Sequence, residues 1–298
     1  MEESQSAFSR ILAAGSGRRR ILLATILAAG VWAFFQLGLD LESLIPSPGG
    51  REVAGKFFAR ALSPALDYQS DSQPEGTLPL PFKALQAAAA TVVLALASIS
   101  LALLGGLLLG FLASSAWWAG DPAGGSSRLQ ALMRRGLAPA LYGITRSAIA
   151  LMRSVHELLW AVLFLAAFGL SHLSAVIAIA IPYAGTLAKI FSEMIDEAPR
   201  DASEALRGAG ASPLQVYFFG LLPRALPDMA AYSFYRFECA LRSAAVLGFF
   251  GFPTLGYYIA ASFENLYYGE VWTYLYTLFL LIVAVDWWSG ALRRRITA

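Results

Sequence analysis

Long apolar runs alternate along this chain with short joints that carry most of its charge. A helix needs about 20 apolar residues to cross about 30 Å of hydrocarbon. Runs of that length cover residues 21–39, 84–112, 137–168, 171–195, 225–249 and 271–292. The pattern predicts an all-α polytopic membrane protein with about six transmembrane helices, in which Gly105, Gly106 and Gly110 let a neighbouring helix approach the second span closely.

Arginines set the expected orientation, because short cytoplasmic joints retain Lys and Arg. The clusters that fall on one side of a six-helix arrangement are Arg18–Arg20, Arg128 with Arg134 and Arg135, Arg200 with Arg207 and Arg224, and Arg293–Arg295. We therefore expect a multi-pass inner-membrane protein with both termini in the cytoplasm. Residues 1–83 are expected to form an N-terminal anchor helix and an extracytoplasmic segment, and residues 84–298 the transmembrane domain.

Composition narrows the function classes. The chain is 57% hydrophobic and 14% charged, with a mean hydropathy of +0.59, so lipid is its expected surroundings. A net charge of +2, confined to clusters, does not indicate nucleic-acid binding. Cys239 has no second cysteine to pair with, and His156 and His172 do not resemble a metal site. No GxxxxGK[ST] segment occurs, so we expect the chain to have no cofactor and no ATPase site of its own. Any ATP-driven step must therefore draw its energy from a partner protein.

A polar island interrupts the apolar pattern at residues 196–223, which the orientation places in the cytoplasm. Good helix formers follow Asp201, and the glycines at 208 and 210 favour a chain reversal. Ser212 then suits a helix N-cap, with Pro213 at the first helical position. The pattern predicts a helix-turn-helix at the membrane surface, small enough to fit a groove on another protein.

Two motifs in this island resemble a known family. "EALRGAG" (204–210), followed after nine residues by "GLLP" (220–223), is similar to the EAA motif of ATP-binding-cassette (ABC) importer permeases. Leu206 replaces the second alanine of that motif, and Gly220 replaces an isoleucine. The resemblance implies a type I importer permease fold and a coupling helix that docks on a cytoplasmic ATPase. The matching positions are Glu204, Ala205, Gly210, Leu222 and Pro223.

The resemblance narrows to phosphonate-type permeases. The segments that carry it are "RSVHELLWAVLFLAAFG" (153–169), "AGTLAKIFSEMIDE" (184–197), "YSFYRFECALRSAAVLGFFG" (232–251) and "VDWWSGALRRR" (285–295). It implies a permease subunit for a phosphonate-like or related phosphorus oxyanion. The implied partners are cytoplasmic ABC ATPase subunits, an extracytoplasmic substrate-binding protein, and a second copy or a sister permease, all within membrane lipid.

One segment departs from that family. Such permeases continue "VLG" with a "VGAGGIG"-like stretch, whereas this chain reads "VLGFFGFPTLG". Gly248, Gly251, Pro253 and Gly256 are the candidate gate residues, and the bulkier sequence implies a stiffer region beside the outer gate.

The fifth apolar run contains ionisable residues at depths where they are costly, which makes them functional candidates. Arg236 has no opposing acid at helical spacing, while Glu238 and Arg242 are spaced to pair at i,i+4. A spare arginine suits phosphorus oxyanions. The candidate translocation residues are Arg236, Glu238, Arg242, Tyr232 and Arg153. The alternative is that these charges only hold the bundle together, and Arg153 with Glu157 is expected to mark a kink or an internal pair.

Two other function classes compete with the importer permease. A secondary anion transporter would run on an ion gradient and predicts inverted repeats with broken helices, which the sequence does not display clearly. An intramembrane enzyme would need a catalytic pair or a metal-ligand set, which the histidines and the cysteine do not supply.

Overall fold

The computed structural model describes residues 20–38, 45–70, 76–116 and 136–296. All regular elements in these ranges are helical. Two compact units divide the chain at Phe58. The longer helices are α1 (Arg20–Gln36), α2 (Pro48–Ala59), α3 (Leu80–Ala113), α4 (Ala138–Ser154), α5 (Glu157–Phe168), α6 (His172–Glu197), α7 (Asp201–Gly208), α8 (Leu222–Leu247), α9 (Leu255–Glu264) and α10 (Tyr268–Ile296).

Helix α6 is the centre of the second unit, and α3, α4, α5 and α8 all pack against it. Small residues make the α3–α6 contact close. A Cβ atom added to Gly106 would lie 2.6 Å from Leu187 Cβ, and one added to Gly110 would lie 3.2 Å from the Ala188 carbonyl oxygen. The predicted packing role of the glycines in the second span is therefore confirmed, and the core lies where α3 and α6 meet.

The expected third span at 137–168 is not one helix. Helices α4 and α5 are separate and bend by 91° at a short break. Val155 has extended backbone angles, and His156 Nδ1 accepts a hydrogen bond from Leu158 N at 3.3 Å, which caps a new helix at Glu157. Uniform apolarity hid this cap, but the kink expected near Arg153 is present.

Three helices of the described chain, α3, α6 and α10, are long and apolar enough to cross a membrane. The number becomes five if two bent pairs each count as one span: α4 with α5, and the stretch Pro213–Phe250 with α9, bent by 42°. The predicted first span corresponds to α1, a shorter apolar helix of the first unit. The observed count is thus three to five, against about six expected from the sequence.

Some sequence predictions fall on residues that the structure leaves undescribed. Arg18, Arg19, Arg128, Arg134 and Arg135 lie outside the described ranges. The last residue of the predicted first span, Leu39, does as well. Within the described part, the segment between α8 and α10 contains a further short helix, α9.

Candidate functional site

The polar island folds as the predicted helix-turn-helix. Helix α7 ends at Gly208, and Gly210 turns the chain with a φ of +84°, a value that a residue with a side chain rarely adopts. Ser212 and Gln215 form a reciprocal capping box: Ser212 Oγ accepts from Gln215 N, and Gln215 Oε1 accepts from Ser212 N at 2.8 Å. One helical turn and a π-helical turn, Val216–Leu221, then lead into α8.

The two departures from the EAA motif touch each other. A Cβ atom added to Gly220 would lie 3.2 Å from Leu206 Cδ1 and 3.4 Å from Ser203 Cα. Ser203 is buried in this contact, so the π-turn presses directly on α7. The larger leucine at 206 therefore occupies space that an isoleucine at 220 would need, and the pair is a compensated exchange.

The matched motif residues lie mostly on the surface of this segment. Glu204, Ala205, Gly210 and Pro223 are exposed, and Leu222 is half-buried. A Cβ atom added to Gly210 would meet nothing within 4 Å, so its glycine is required by backbone angle and not by crowding. Beside these positions, Phe218 and Phe219 are exposed apolar side chains.

Asp196 fastens the base of this segment to the end of α3. Its carboxylate accepts hydrogen bonds from Ser114 Oγ at 2.7 Å, Ser115 N at 3.0 Å and Ala116 N at 3.2 Å. Arg146 Nη2 lies 3.9 Å from the same carboxylate. These contacts join the start of the polar island to the end of α3 and to α4, and charge-assisted bonds to backbone N–H groups are among the stronger ones.

A polar cluster lies inside the helix bundle, formed by α5, α6 and α8. The guanidinium carbon of Arg236 stands 4.2 Å from the centroid of the Tyr183 ring. Tyr183 Oη lies 3.0 Å from Ser243 Oγ, and Ser243 Oγ donates to Glu157 Oε1 at 2.8 Å. We name these four residues, Arg236, Tyr183, Ser243 and Glu157, the interior cluster.

Arg236 is held in the interior cluster by a cation–π contact with the ring of Tyr183. Its buried Nε makes no hydrogen bond to the described residues, and it forms no ion pair with any of them. Other basic residues in the described chain do have acidic partners, among them Arg146, Lys189, Arg224 and Arg293. The Arg236 charge is thus the one in the bundle interior most available to an anion.

The predicted pair between Glu238 and Arg242 is wrong. Glu238 Oε1 lies 3.1 Å from Arg293 Nη2 of α10, although no hydrogen bond in good geometry reaches that oxygen. Arg242 is exposed, and its Nη2 donates to Cys239 Sγ at 3.4 Å. Because α8 and α10 pack together, Arg293 lies closer to Glu238 than Arg242 does, although Arg242 is on the same helix as Glu238.

Arg153 and Glu157 do not pair either, because the break between α4 and α5 separates them. Glu157 instead contacts Ser243 and lies 3.5 Å from His156 Nε2. Arg153 is exposed at the end of α4, with its side chain over Gly185. Tyr232 is half-buried and packs against Tyr235 with ring centroids 5.9 Å apart. Of the candidate translocation residues, only Arg236 belongs to the interior cluster.

The candidate gate segment is a close-packed turn at the end of α8. A Cβ atom on Gly248 would collide with Tyr257 N, and one on Gly256 would collide with the Ala245 carbonyl oxygen. Gly251 has a φ of +98°, and Pro253 is exposed at the surface of the turn. Leu255 N donates to Thr91 Oγ1 at 3.1 Å, which binds the turn to α3.

Sequence reasoning missed Tyr183, Ser243 and Asp196. Ser243 lies seven residues after Arg236, so both are on one face of α8, and that spacing could have drawn attention to it. Tyr183 follows Pro182 in an apolar stretch, and only its hydroxyl distinguishes it from a core aromatic. Asp196 is an acidic residue at the end of a span. Its partners are distant in sequence and meet it only through tertiary packing, so the sequence alone does not indicate them.

Comparison with protein families gives one match. A family model described as "Binding-protein-dependent transport system inner membrane component" matches residues 129–298. The matched region includes α4 to α10, and with them the polar island, the interior cluster and the close-packed turn.

Curated relatives are similar over about half of the chain. The phosphite transport system permease protein PtxC of Stutzerimonas stutzeri is 33% identical over 52% of this chain and 57% of its own length. The phosphate-import permease protein PhnE of Mycolicibacterium smegmatis is 32% identical over 53% of this chain and 30% of its own length. The chain therefore spans little more than half of the first relative and about a third of the second.

Solved structures share the fold. An inward-facing MetNI methionine ABC transporter structure matches with a TM-score of 0.59 at 19% identity, covering 76% of this chain and 100% of the matched chain. The crystal structure of an amino acid ABC transporter with histidines gives 0.57 at 17% identity, over 72% and 94% of the two chains. The type I importer permease fold expected from the motif resemblance is thereby confirmed.

Proposed function

Because the chain belongs to the binding-protein-dependent transport system inner membrane component family, we propose that it is the transmembrane permease subunit of an ATP-driven importer. Its cargo is a phosphonate-like or related phosphorus oxyanion delivered by an extracytoplasmic binding protein. The observation that carries the proposal is the folded polar island at 196–223, which presents Glu204, Ala205 and Pro223 on an exposed face. A relative named for phosphite transport supports the choice of cargo.

The proposed partners follow from two features of this chain: its exposed motif positions and a sequence without a complete P-loop. ATPase subunits dock on the exposed coupling face, whose motif positions are Glu204, Ala205, Gly210, Leu222 and Pro223. The nearest approach to a P-loop, Gly50–Lys56, ends in Phe57 and lies inside α2, so it has neither the loop nor the hydroxyl that such a site needs. The permease acts as a homodimer or beside a sister subunit, within the lipid of the inner membrane.

The orientation follows from the arginines near the helix ends. Arg200 and Arg207 lie within the coupling segment, Arg224 directly follows it, and Arg293, Arg294 and Arg295 stand in the last turns of α10. Short cytoplasmic segments retain such residues. The coupling segment and the end of α10 therefore face the cytoplasm, and so does the start of the chain if α1 is the sixth crossing. The close-packed turn at Gly248–Gly256 faces outward.

Arg236 supplies the positive charge of the translocation pathway. A charge in the middle of a bundle costs a few kcal/mol, about 2.5 to 3.5 on insertion scales. A desolvated cation–π contact such as that with Tyr183 returns about 2 kcal/mol without neutralising the charge. The arginine is thus held in place while its guanidinium remains able to bind a phosphorus oxyanion through paired N–H donors.

The other candidate residues act around this charge. Glu238 is held by Arg293 and so adds no free negative charge beside the anion. Arg242, Arg153 and Tyr232 lie toward the surface of the single chain, where a second permease subunit could complete the pathway. Gly248, Gly251, Pro253 and Gly256 form the outer gate, which moves as a stiff unit because its glycines allow direct backbone contact.

The test is uptake by proteoliposomes that contain this chain, its ATPase and its binding protein. ATP-dependent accumulation of radiolabelled phosphite, phosphate or methylphosphonate is expected. An ion gradient without ATP should drive none. Gradient-driven uptake by the chain alone would instead assign it to secondary transport.

A further inference from the structure

A cavity of about 390 Å³ opens at the end of the bundle opposite the coupling segment. Its walls come from the first turn of α3, from α9, from the start of α10 and from the segment before α3. The length of α3 separates this cavity from the Asp196 contacts by about 50 Å, at 1.5 Å per helical residue. None of the residues assigned above to coupling, translocation or gating lines it.

Glu270 is a buried carboxylate in the wall of this cavity. Only 5% of the surface of Glu270 is exposed. Oε1 accepts a hydrogen bond from Gln69 N at 2.7 Å, and Oε2 accepts one from Ser262 Oγ at 3.1 Å. Both donors are neutral, and no described basic residue forms an ion pair with it. Among the described residues, Glu270 therefore has no partner of opposite sign, which a buried charge ordinarily has.

Tyrosines surround the same cavity. The rings of Tyr258 and Tyr274 stack with centroids 5.5 Å apart, and Tyr257 meets Tyr258 edge-on at 5.1 Å. Tyr274 is only 2% exposed. Aromatic faces beside a carboxylate are the usual surroundings of an organic ammonium group.

Lys83 gives the cavity its positive end. Its Nζ stands 5.2 Å from the centroid of the Tyr258 ring and forms no ion pair with a described residue. Burial raises the pKa of Tyr68, which also lines the cavity, so this phenol stays neutral and adds no negative charge near Lys83. Among its described lining residues, the cavity has one basic side chain, Lys83, and one acidic side chain, Glu270, which form no ion pair with each other.

We propose that this cavity binds a small zwitterion, whose ammonium group lies against Glu270 and whose oxyanion group contacts Lys83. A cavity of this volume accommodates a molecule of a few heavy atoms with room for water. The choice of a phosphonate as the oxyanion rests on the proposed function, whereas the cavity and its separated charges do not.

The experiment measures binding to the full-length chain purified in detergent, without ATPase or ATP. Three probes are compared. 2-Aminoethylphosphonate carries both charges, ethylphosphonate carries only the negative charge, and ethylamine carries only the positive charge. Isothermal titration should give a Kd for 2-aminoethylphosphonate at least roughly tenfold below that of either single-charge probe, since each charge-assisted contact contributes about one such factor.

Two variants test the assignment of the charges. Glu270→Gln keeps an acceptor for Gln69 N and should remove the preference for 2-aminoethylphosphonate over ethylphosphonate. Lys83→Met should remove the preference over ethylamine. Glu264→Gln at the exposed end of α9 and Lys189→Met in α6 are the matched controls and should bind like the parent chain. Unchanged size-exclusion profiles and melting temperatures establish that the variants are folded.

The proposal is overturned if no probe binds at millimolar concentration, or if ethylphosphonate binds as tightly as 2-aminoethylphosphonate. It is also overturned if Glu270→Gln leaves the preference intact. Because the assay needs no transport, a failure of ATP-driven uptake with intact zwitterion binding would reject the importer function alone, and the converse result would reject the cavity alone.

Discussion

The coupling segment and the interior cluster differ in how their residues are assembled. The first is a continuous stretch of chain, 196–223, with its motif positions at fixed spacing and mostly exposed. The second joins Glu157, Tyr183, Arg236 and Ser243 from three helices, through contacts that only the folded bundle creates. Substitutions in the coupling segment should therefore affect a partner, whereas substitutions in the cluster should affect both the pathway and the bundle.

Gly210→Val gives the largest expected loss of function, with only a modest change in the stability of the isolated protein. A β-branched residue at a φ of +84° is strained, by about 1–2 kcal/mol for the left-handed region, but it meets no neighbour. We expect uptake and co-purification of the ATPase to be lost while the chain stays folded in the membrane, with its melting temperature lowered by only a few degrees. Gly208→Ala, within a helical turn, is the matched control and should behave like the parent. Normal transport by Gly210→Val would reject the coupling assignment.

Arg236→Gln comes next, with an expected loss of most uptake at unchanged expression, on the order of tenfold or more for one charge-assisted contact. Arg236→Lys should retain part of the activity because the charge remains, although lysine lacks the planar fork. Uptake of labelled oxyanion and thermal melting are measured in parallel. A melting loss that accounts for the uptake loss would make Arg236 a structural residue.

Glu238→Gln serves as the comparison for Arg236, because its ion pair with Arg293 joins α8 to α10 away from the cluster. Removing one member of a partly buried pair should lower stability and leave the selectivity among phosphite, phosphate and methylphosphonate unchanged. Arg293→Gln should lower stability at least as much, because Arg293 Nη2 also lies 3.8 Å from Asp286 Oδ1, and the double variant should lose less than the sum of the two. A changed selectivity in Glu238→Gln would place this residue in the pathway.

The Leu206–Gly220 contact tests whether the coupling segment is an independently packed unit. Gly220→Ile should overfill the space beside Leu206 and Ser203, at a cost of about 1–3 kcal/mol. Combining it with Leu206→Ala should recover much of that loss, because both positions then match the EAA pattern. A double-mutant cycle on the melting temperature measures the coupling, and strict additivity would contradict the compensation.

Tyr183→Phe has the smallest expected effect. It keeps the ring under Arg236 and loses one hydrogen bond to Ser243, a cost of about 0.5–1.5 kcal/mol. Uptake should stay within a few fold of the parent, whereas Tyr183→Leu removes the cation–π contact as well and should approach the loss seen in Arg236→Gln. Equal effects of the two substitutions would show that the ring does not hold the arginine.

How far the sequence predicted the molecule depends on how local each feature is. Apolar runs located α3, α6, α8 and α10, and the turn at Gly210 with the cap at Ser212 was correct, because these depend on neighbouring residues. The break at His156 was missed, since a side-chain cap within an apolar stretch leaves hydropathy unchanged. The pairing of Glu238 with Arg293 could not be derived, because residues far apart in sequence meet only through helix packing.

ATP dependence of oxyanion uptake tests the central claim most directly. Proteoliposomes containing this chain, the ATPase and the binding protein are loaded with ATP on the side of the coupling segment, and accumulation of radiolabelled phosphite is followed over time. The account predicts accumulation with hydrolysable ATP, none with a non-hydrolysable analogue, and none with Gly210→Val. Equal accumulation without ATP, or by the chain without its ATPase, would contradict it.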